Sequence, residues 1–145
     1  MPTDTEPVRV FPNVEAIVSE YLRSRPEISA LVDDRVVTAN GPERTLVYPR
    51  IRVNVVDEIS VGAHPVVYVR TIVQVDAWGG TKAVAHEIAQ TARAVLDLRA
   101  FLGVHGSGQI LSVAHGSIRD APDTTLDPAR PRFLFRSTIA NRPAR

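Results

Sequence analysis

Four histidines, a glycine-rich run, a serine beside a glycine and two acid pairs are where this chain could do chemistry. A helical metal site wants histidines at i and i+4, so that both rings lie on one face. His64, His86, His105 and His115 show no such spacing. His105 and His115 could meet across a hairpin, though solvated rings are the simpler reading. The run Gly103-Val104-His105-Gly106-Ser107-Gly108 looks like a phosphate cradle, but a dinucleotide fingerprint needs a strand before it and a helix after it. Here the order is reversed, so the run reads as a helix-to-strand connection needing positive φ. Ser117 follows Gly116 but lacks the second glycine of a nucleophile elbow. Asp33-Asp34 and Asp57-Glu58 read as solvated turns, without the further oxygen ligands a metal would need. The chain has no cysteine, which removes disulfides, thiolate metal sites and cysteine nucleophiles together. No catalytic residue, metal or cofactor is therefore expected. An enzymatic alternative, a small hydrolase using His115 and Asp120, lacks a nucleophile-and-base constellation.

The pattern that stands out is a long strand over residues 65–78, running into a helix capped by Thr81. Val67, Val69, Thr71, Val73, Val75 and Ala77 fall on one face of it. Tyr68, Arg70, Ile72, Gln74, Asp76 and Trp78 fall on the other. The first set describes a core face. The second mixes charge with large rings, as a surface prepared for a partner subunit does. Trp78, beside Gly79-Gly80, packs most simply on the helix start; its alternative role is an interface anchor.

Around this strand the order is helix, strand, strand, strand, helix, strand, strand. Asn13 can cap a helix bearing Val14, Ile17, Val18, Tyr21 and Leu22 on one face. Pro26 ends it and can open a short second helix through Ile28, Leu31 and Val32. Strands are predicted over 35–39, from Pro49 through Val56, over 109–119 and over 132–140. Asn40-Gly41-Pro42 is a turn and 57–64 a hairpin loop. The main helix carries Val84, Ile88, Ala92, Val95 and Leu96 as a stripe, with Ala85 and Ala89 as small contacts and His86, Glu87, Gln90 and Arg93 facing away. Short connections favour antiparallel pairing. The expectation is one α+β domain over 1–145, a two-layer sandwich of a mainly antiparallel sheet of four to five strands with two main helices on one face. Residues 1–12 and 141–145 are expected to be flexible tails. A half-covered sheet is a liability unless something binds it, and self-association is the economical solution.

Composition sets the outer bounds. With 44% hydrophobic and 23% charged residues the chain falls in the ordinary globular class. Arg70, Gln74 and Asp76 interrupt the best apolar run well short of the roughly 18 residues needed to cross a bilayer, so no membrane role is expected. Residues 1–9 hold Asp4 and Glu6 and no apolar centre, unlike a signal peptide. A net charge of +1 argues against a dedicated nucleic-acid binder. Lys82 is the sole lysine among 17 basic residues. Codon bias accounts for that simply, while arginine also suits pairing with carboxylates.

The assembled pattern resembles the tail terminator family of long-tailed bacteriophages, also described as tail-to-head joining or minor tail completion proteins. The resemblance runs over about residues 13–120. It is carried by the segment from Val14 through Leu22, by Ile28 through Val36, by Tyr48-Pro49-Arg50-Ile51-Arg52-Val53 and by Val73-Gln74-Val75-Asp76-Ala77-Trp78-Gly79-Gly80. Behind these comes the helix with Ala85, Ile88, Ala89, Ala92 and Leu96. Residues 120–131 are less typical of the family.

This resemblance implies a structural virion protein of the tail and neck, assembled in the host cytoplasm. It would form a ring, usually a hexamer, that caps the tail tube, ends its polymerisation and meets the head connector, with DNA passing through the lumen without specific binding. A domain of this length has a radius of gyration of about 15 Å and an equivalent sphere radius of roughly 19 Å. Six touching spheres leave a hole of that same radius, wide enough for a duplex. On this reading Tyr68, Arg70, Gln74, Asp76 and Trp78, with Arg136, contribute to subunit contacts. Residues 40–47 and 57–64 are candidates for reaching the tube or connector. The alternative within assembly is another neck component, a head-closure or adaptor protein.

Overall fold

The computed structural model describes residues 8–38, 47–62, 66–126 and 128–144. The turn expected at Asn40-Gly41-Pro42, His64 and most of the 40–47 loop lie outside them. Helix α1 (Val14–Ser24) starts where the Asn13 side chain accepts the Ala16 N–H at 3.1 Å. Its buried stripe is Val14, Val18, Tyr21 and Leu22. Pro26 then opens α2 (Pro26–Val32), which buries Ile28 and Val32. Thr81 caps α3 (Lys82–Leu96) by accepting the Val84 N–H at 3.2 Å. The stripe of α3 is rotated from the expected one. Ala85 and Ala89 are fully buried whereas Val84 is 37% exposed, and the His86 ring, expected to face away, stacks on Phe133 at 4.7 Å. Small side chains let the helix axis approach the sheet, so the alanines take the seam.

Strands β1 (Val36–Val37), β2 (Arg50–Val61), β3 (Tyr68–Trp78), β4 (Gly103–His105), β5 (Gly108–His115), β6 (Arg119–Asp120) and β7 (Arg132–Pro143) form one sheet. Its order is β1-β2-β3-β7-β5-β4, with β6 also paired to β7. Among the described residues the sheet has seven strands, which corrects the expected four to five. β1 falls within the strand expected over 35–39, whereas β4 and β6 span three and two residues, too few to show a period of two. β4 lies within the run read as a plain connection; Gly103 and Gly106 there do have positive φ, 101° and 58°. β2 extends to Val61 through residues assigned to a loop, because a bulge after Val55 shifts its register against β3. All neighbours pair antiparallel except β1 with β2.

At the C-terminus, β7 continues through Pro143, and Asn141 is fully buried between β3 and β5, so most of the stretch expected to fray is sheet. At the other end Pro12 is buried; a Cβ placed on Gly108 would collide with the Pro12 ring.

Helices α1, α2 and α3 lie on one side of the sheet. Their apolar residues join Ile51, Val53, Val73, Val75, Ala77, Phe133, Phe135 and Ile139 in one continuous core. Tyr21 ties the layers together further, its hydroxyl donating to the Val95 carbonyl at 2.8 Å. No helix among the described residues is long and apolar enough to cross a membrane.

Candidate interface on the open sheet face

Alternation along β3 sends Tyr68, Arg70, Ile72, Gln74, Asp76 and Trp78 away from the helices, as their spacing predicts. Register supplies their neighbours: Arg50 and Arg132 flank Trp78, Arg52 and Leu134 flank Asp76, Asn54 and Arg136 flank Gln74, and Ile59 and Ala140 flank Arg70. The six candidate contact residues divide into two groups. Arg70 and Arg136 are exposed and Tyr68 and Gln74 half-buried, whereas Asp76 (0% exposed) and Trp78 (2%) are sealed by their own chain. The last two cannot touch a partner directly; they support the surface from behind.

Trp78 is covered by the segment after β6. Its indole N–H donates to Asp123 Oδ2 at 2.9 Å, and the guanidiniums of Arg50, Arg52 and Arg132 stand 5.5, 5.5 and 5.8 Å from its ring centroid. Cations over an indole face are attracted by its quadrupole. Burial pushes the Asp123 carboxyl up, but the Thr125 hydroxyl, the Trp78 indole, the Thr125 amide and the Arg132 charge together hold it below the usual carboxylate value.

Asp76 accepts Arg52 Nη2 at 2.9 Å on Oδ2 and Gln74 Nε2 at 3.0 Å on Oδ1. Gln74 in turn accepts Arg136 Nε at 3.1 Å. The result is a line of hydrogen bonds across β2, β3 and β7 that begins at a buried carboxylate and ends at an exposed guanidinium. Arg70 Nη2 lies 3.3 Å from the Tyr68 hydroxyl, which it donates to, and its charge is 5.8 Å from that ring.

The residues weighed for chemistry are dispersed. His105 Nε2 is 2.6 Å from the Phe101 carbonyl. β4 pairs its His105 with Gly108, so His105 and His115 occupy opposite ends of the β5 ladder. Asp120 pairs with Lys82, at the start of α3, and His115 lies near Asp97, just past its end. That helix is about 22 Å long, which separates the two residues of the hydrolase alternative.

One arrangement was not visible in the sequence. His115 Nδ1 is 2.7 Å from Ser137 Oγ, and its Nε2 is 3.7 Å from Asp97 Oδ1, too long for a hydrogen bond. Burial lowers the His115 pKa, with Asp97 pulling it up and Arg93 pushing it down, and leaves a neutral ring. The trio has the residue types of a hydrolytic triad, but Ser137 is 1% exposed on the core face, where no substrate carbonyl can reach it. No cluster of three or more acidic or histidine side chains suited to a metal occurs among the described residues.

The architecture is that of an α+β protein with a seven-stranded sheet covered by helices on one side. No protein-family model and no curated protein matches the chain. Among solved structures it is similar to a chain described as "Virion of native gene transfer agent (GTA) particle". The TM-score is 0.53 at 18% identity, with 88% of this chain and 94% of that one covered. At this identity the likeness is one of fold.

Proposed function

We propose that this chain is a structural protein of a phage-like virion, without enzymatic activity, and more narrowly a tail terminator. In this reading its copies close into a ring, a hexamer, that caps the tail tube, stops its growth and joins the tail to the head connector while DNA passes through the lumen. The observation that carries it is the one-sided sheet: three helices cover one face, and the other presents Tyr68, Arg70, Gln74 and Arg136 to solvent. The fold likeness to a virion chain supports the same reading. A head-to-tail ring needs two unlike patches per subunit, which a sheet with two different edges can supply.

Native mass measurement and negative-stain imaging test it, on the protein alone and mixed with tail tube subunits. Closed rings of six that bind tube ends are the expected result, and Arg70→Ala should weaken them. A chain that remains monomeric under both conditions overturns the reading. Rings that bind the connector and ignore the tube would make the protein a head-closure or adaptor component instead.

A further inference from the structure

Resting on the ring reading, we propose how neighbouring copies grip each other. The groove between β6 and the outer side of β7 receives the acidic stretch Asp57-Glu58 of a second copy of this chain.

The groove has a volume of about 560 Å³. Leu134 forms part of its lining, with Gln74, Ser117, Arg119 and Arg136 around it. Its wall is fixed to β7, because the Gly116 N–H donates to the Arg136 carbonyl at 2.7 Å and the Ala121 N–H to the Arg132 carbonyl at 2.9 Å. Asp120 also lines it, but its carboxylate is committed to Lys82 Nζ at 2.9 Å. Arg119 and Arg136 are exposed and enter no ion pair among the described residues. Arg136 is held in place through Nε by Gln74, which leaves its terminal nitrogens to fork onto a carboxylate. The groove is thus an anchored, cationic cleft with an apolar side chain in its lining.

The other side of the sheet has the complement. Asp57 and Glu58 are exposed on β2, paired with Ile72 and Thr71 and so on opposite faces of this strand. Neither enters an ion pair among the described residues, although Asp57 accepts the Glu58 amide at 2.9 Å and Glu58 the Thr71 hydroxyl at 3.5 Å. Val56 and Ile59 beside them are 41% and 48% exposed, apolar area that a contact would remove from water. β1 pairs β2 only at Ile51 and Arg52, so among the described residues no strand borders β2 on that side from Val56 to Val61. β3 and β7 lie between β2 and β6, so Arg119 on β6 is three strand spacings or about 14 Å from β2. One copy cannot bring its own Asp57 and Glu58 to Arg119. Two unlike patches at opposite sides of one sheet make a head-to-tail contact, the kind that generates rings.

Charge reversal tests it, with assembly followed by mass photometry. Arg119→Glu with Arg136→Glu, and separately Asp57→Arg with Glu58→Arg, should each raise the concentration for half-assembly at least about tenfold. All four changes in one chain should restore rings. Mixing the two double variants should restore rings in which they alternate, since each groove then meets a stretch of opposite charge while copies of one variant repel each other. All four positions are exposed, so far-UV spectra should match the wild type; should a reversal misfold, Arg119→Gln with Arg136→Gln gives the same direction of effect. Wild-type rings that are indifferent to either reversal, or a fourfold swap that restores nothing, overturn this docking and leave the ring reading standing. A wild-type chain that never assembles, alone or with tube subunits, overturns both.

Discussion

The indole N–H of Trp78 donates to Asp123 Oδ2 at 2.9 Å, joining β3 to a segment 45 residues downstream. The same carboxylate accepts the Thr125 amide and hydroxyl on its other oxygen, at 3.1 and 2.6 Å. Trp78→Phe keeps most of the ring and strands the Asp123 acceptor, at a cost of about 1–3 kcal/mol in chemical denaturation. Asp123→Ala should cost a similar amount, and the double variant less than the sum, because both remove one bond. Additive losses would show that the two residues act independently.

Asp76 is buried while its partner Arg52 keeps a quarter of its side chain in water. Asp76→Ala removes the shared acceptor of Arg52 and Gln74 and should cost about 2 kcal/mol, below the figure for a fully buried pair because solvent reaches the arginine. The urea midpoint should fall without a change in slope. Any loss of assembly in this variant would follow from a loosened Gln74 and Arg136.

His115 gives stability a pH dependence. Burial places its folded pKa below the ordinary 6.5, so the unfolded chain takes up a proton more readily. Its contribution is complete above about pH 6.5 and declines as pH falls from there towards the folded pKa. Asp123, whose pKa is also lowered, adds loss of the same sign at more acid pH. Thermal melts between pH 7.5 and 5 should show the midpoint falling, and His115→Gln should flatten that slope. An unchanged slope in the variant would assign the effect to other groups.

The junction of β3 and α3 offers a paired test. A Cβ on Gly79 would sit 2.6 Å from the Ala85 backbone nitrogen, whereas one on Gly80 meets nothing within 4 Å. Gly79→Ala must push helix from strand and should cost about 2–3 kcal/mol. Gly80→Ala should change stability by less than about 1 kcal/mol. Comparable effects from the two would mean the junction relaxes freely.

Much of the fold was legible because local periodicity is a local property. Asn13, Pro26 and Thr81 mark helix starts in any context that admits a helix, and β3 shows its two faces over eleven residues. Of the short strands, Val36–Val37 falls within the strand expected over 35–39, but β4 and the separate β6 were not legible. A stretch such as Gly103–His105 or Arg119–Asp120 becomes a strand of its own only because a longer neighbour supplies the hydrogen bonds. The extension of β2 past Val56 was hidden by a bulge between Val55 and Asp57, which swaps the faces and so mimics the end of a pattern.

Of the candidate interface, the sequence alone determined which residues of β3 share a face, because that follows from backbone geometry within one strand. It also determined the lack of thiol chemistry and the absence of a helical histidine pair. Only the tertiary structure decided which of those residues meet solvent. Asp76 and Trp78 alternate like Arg70 and Gln74, yet the 119–125 segment and three arginines cover one end of the face and leave the other open. That difference depends on which distant residues fold over the strand, and no period of two within β3 can encode it.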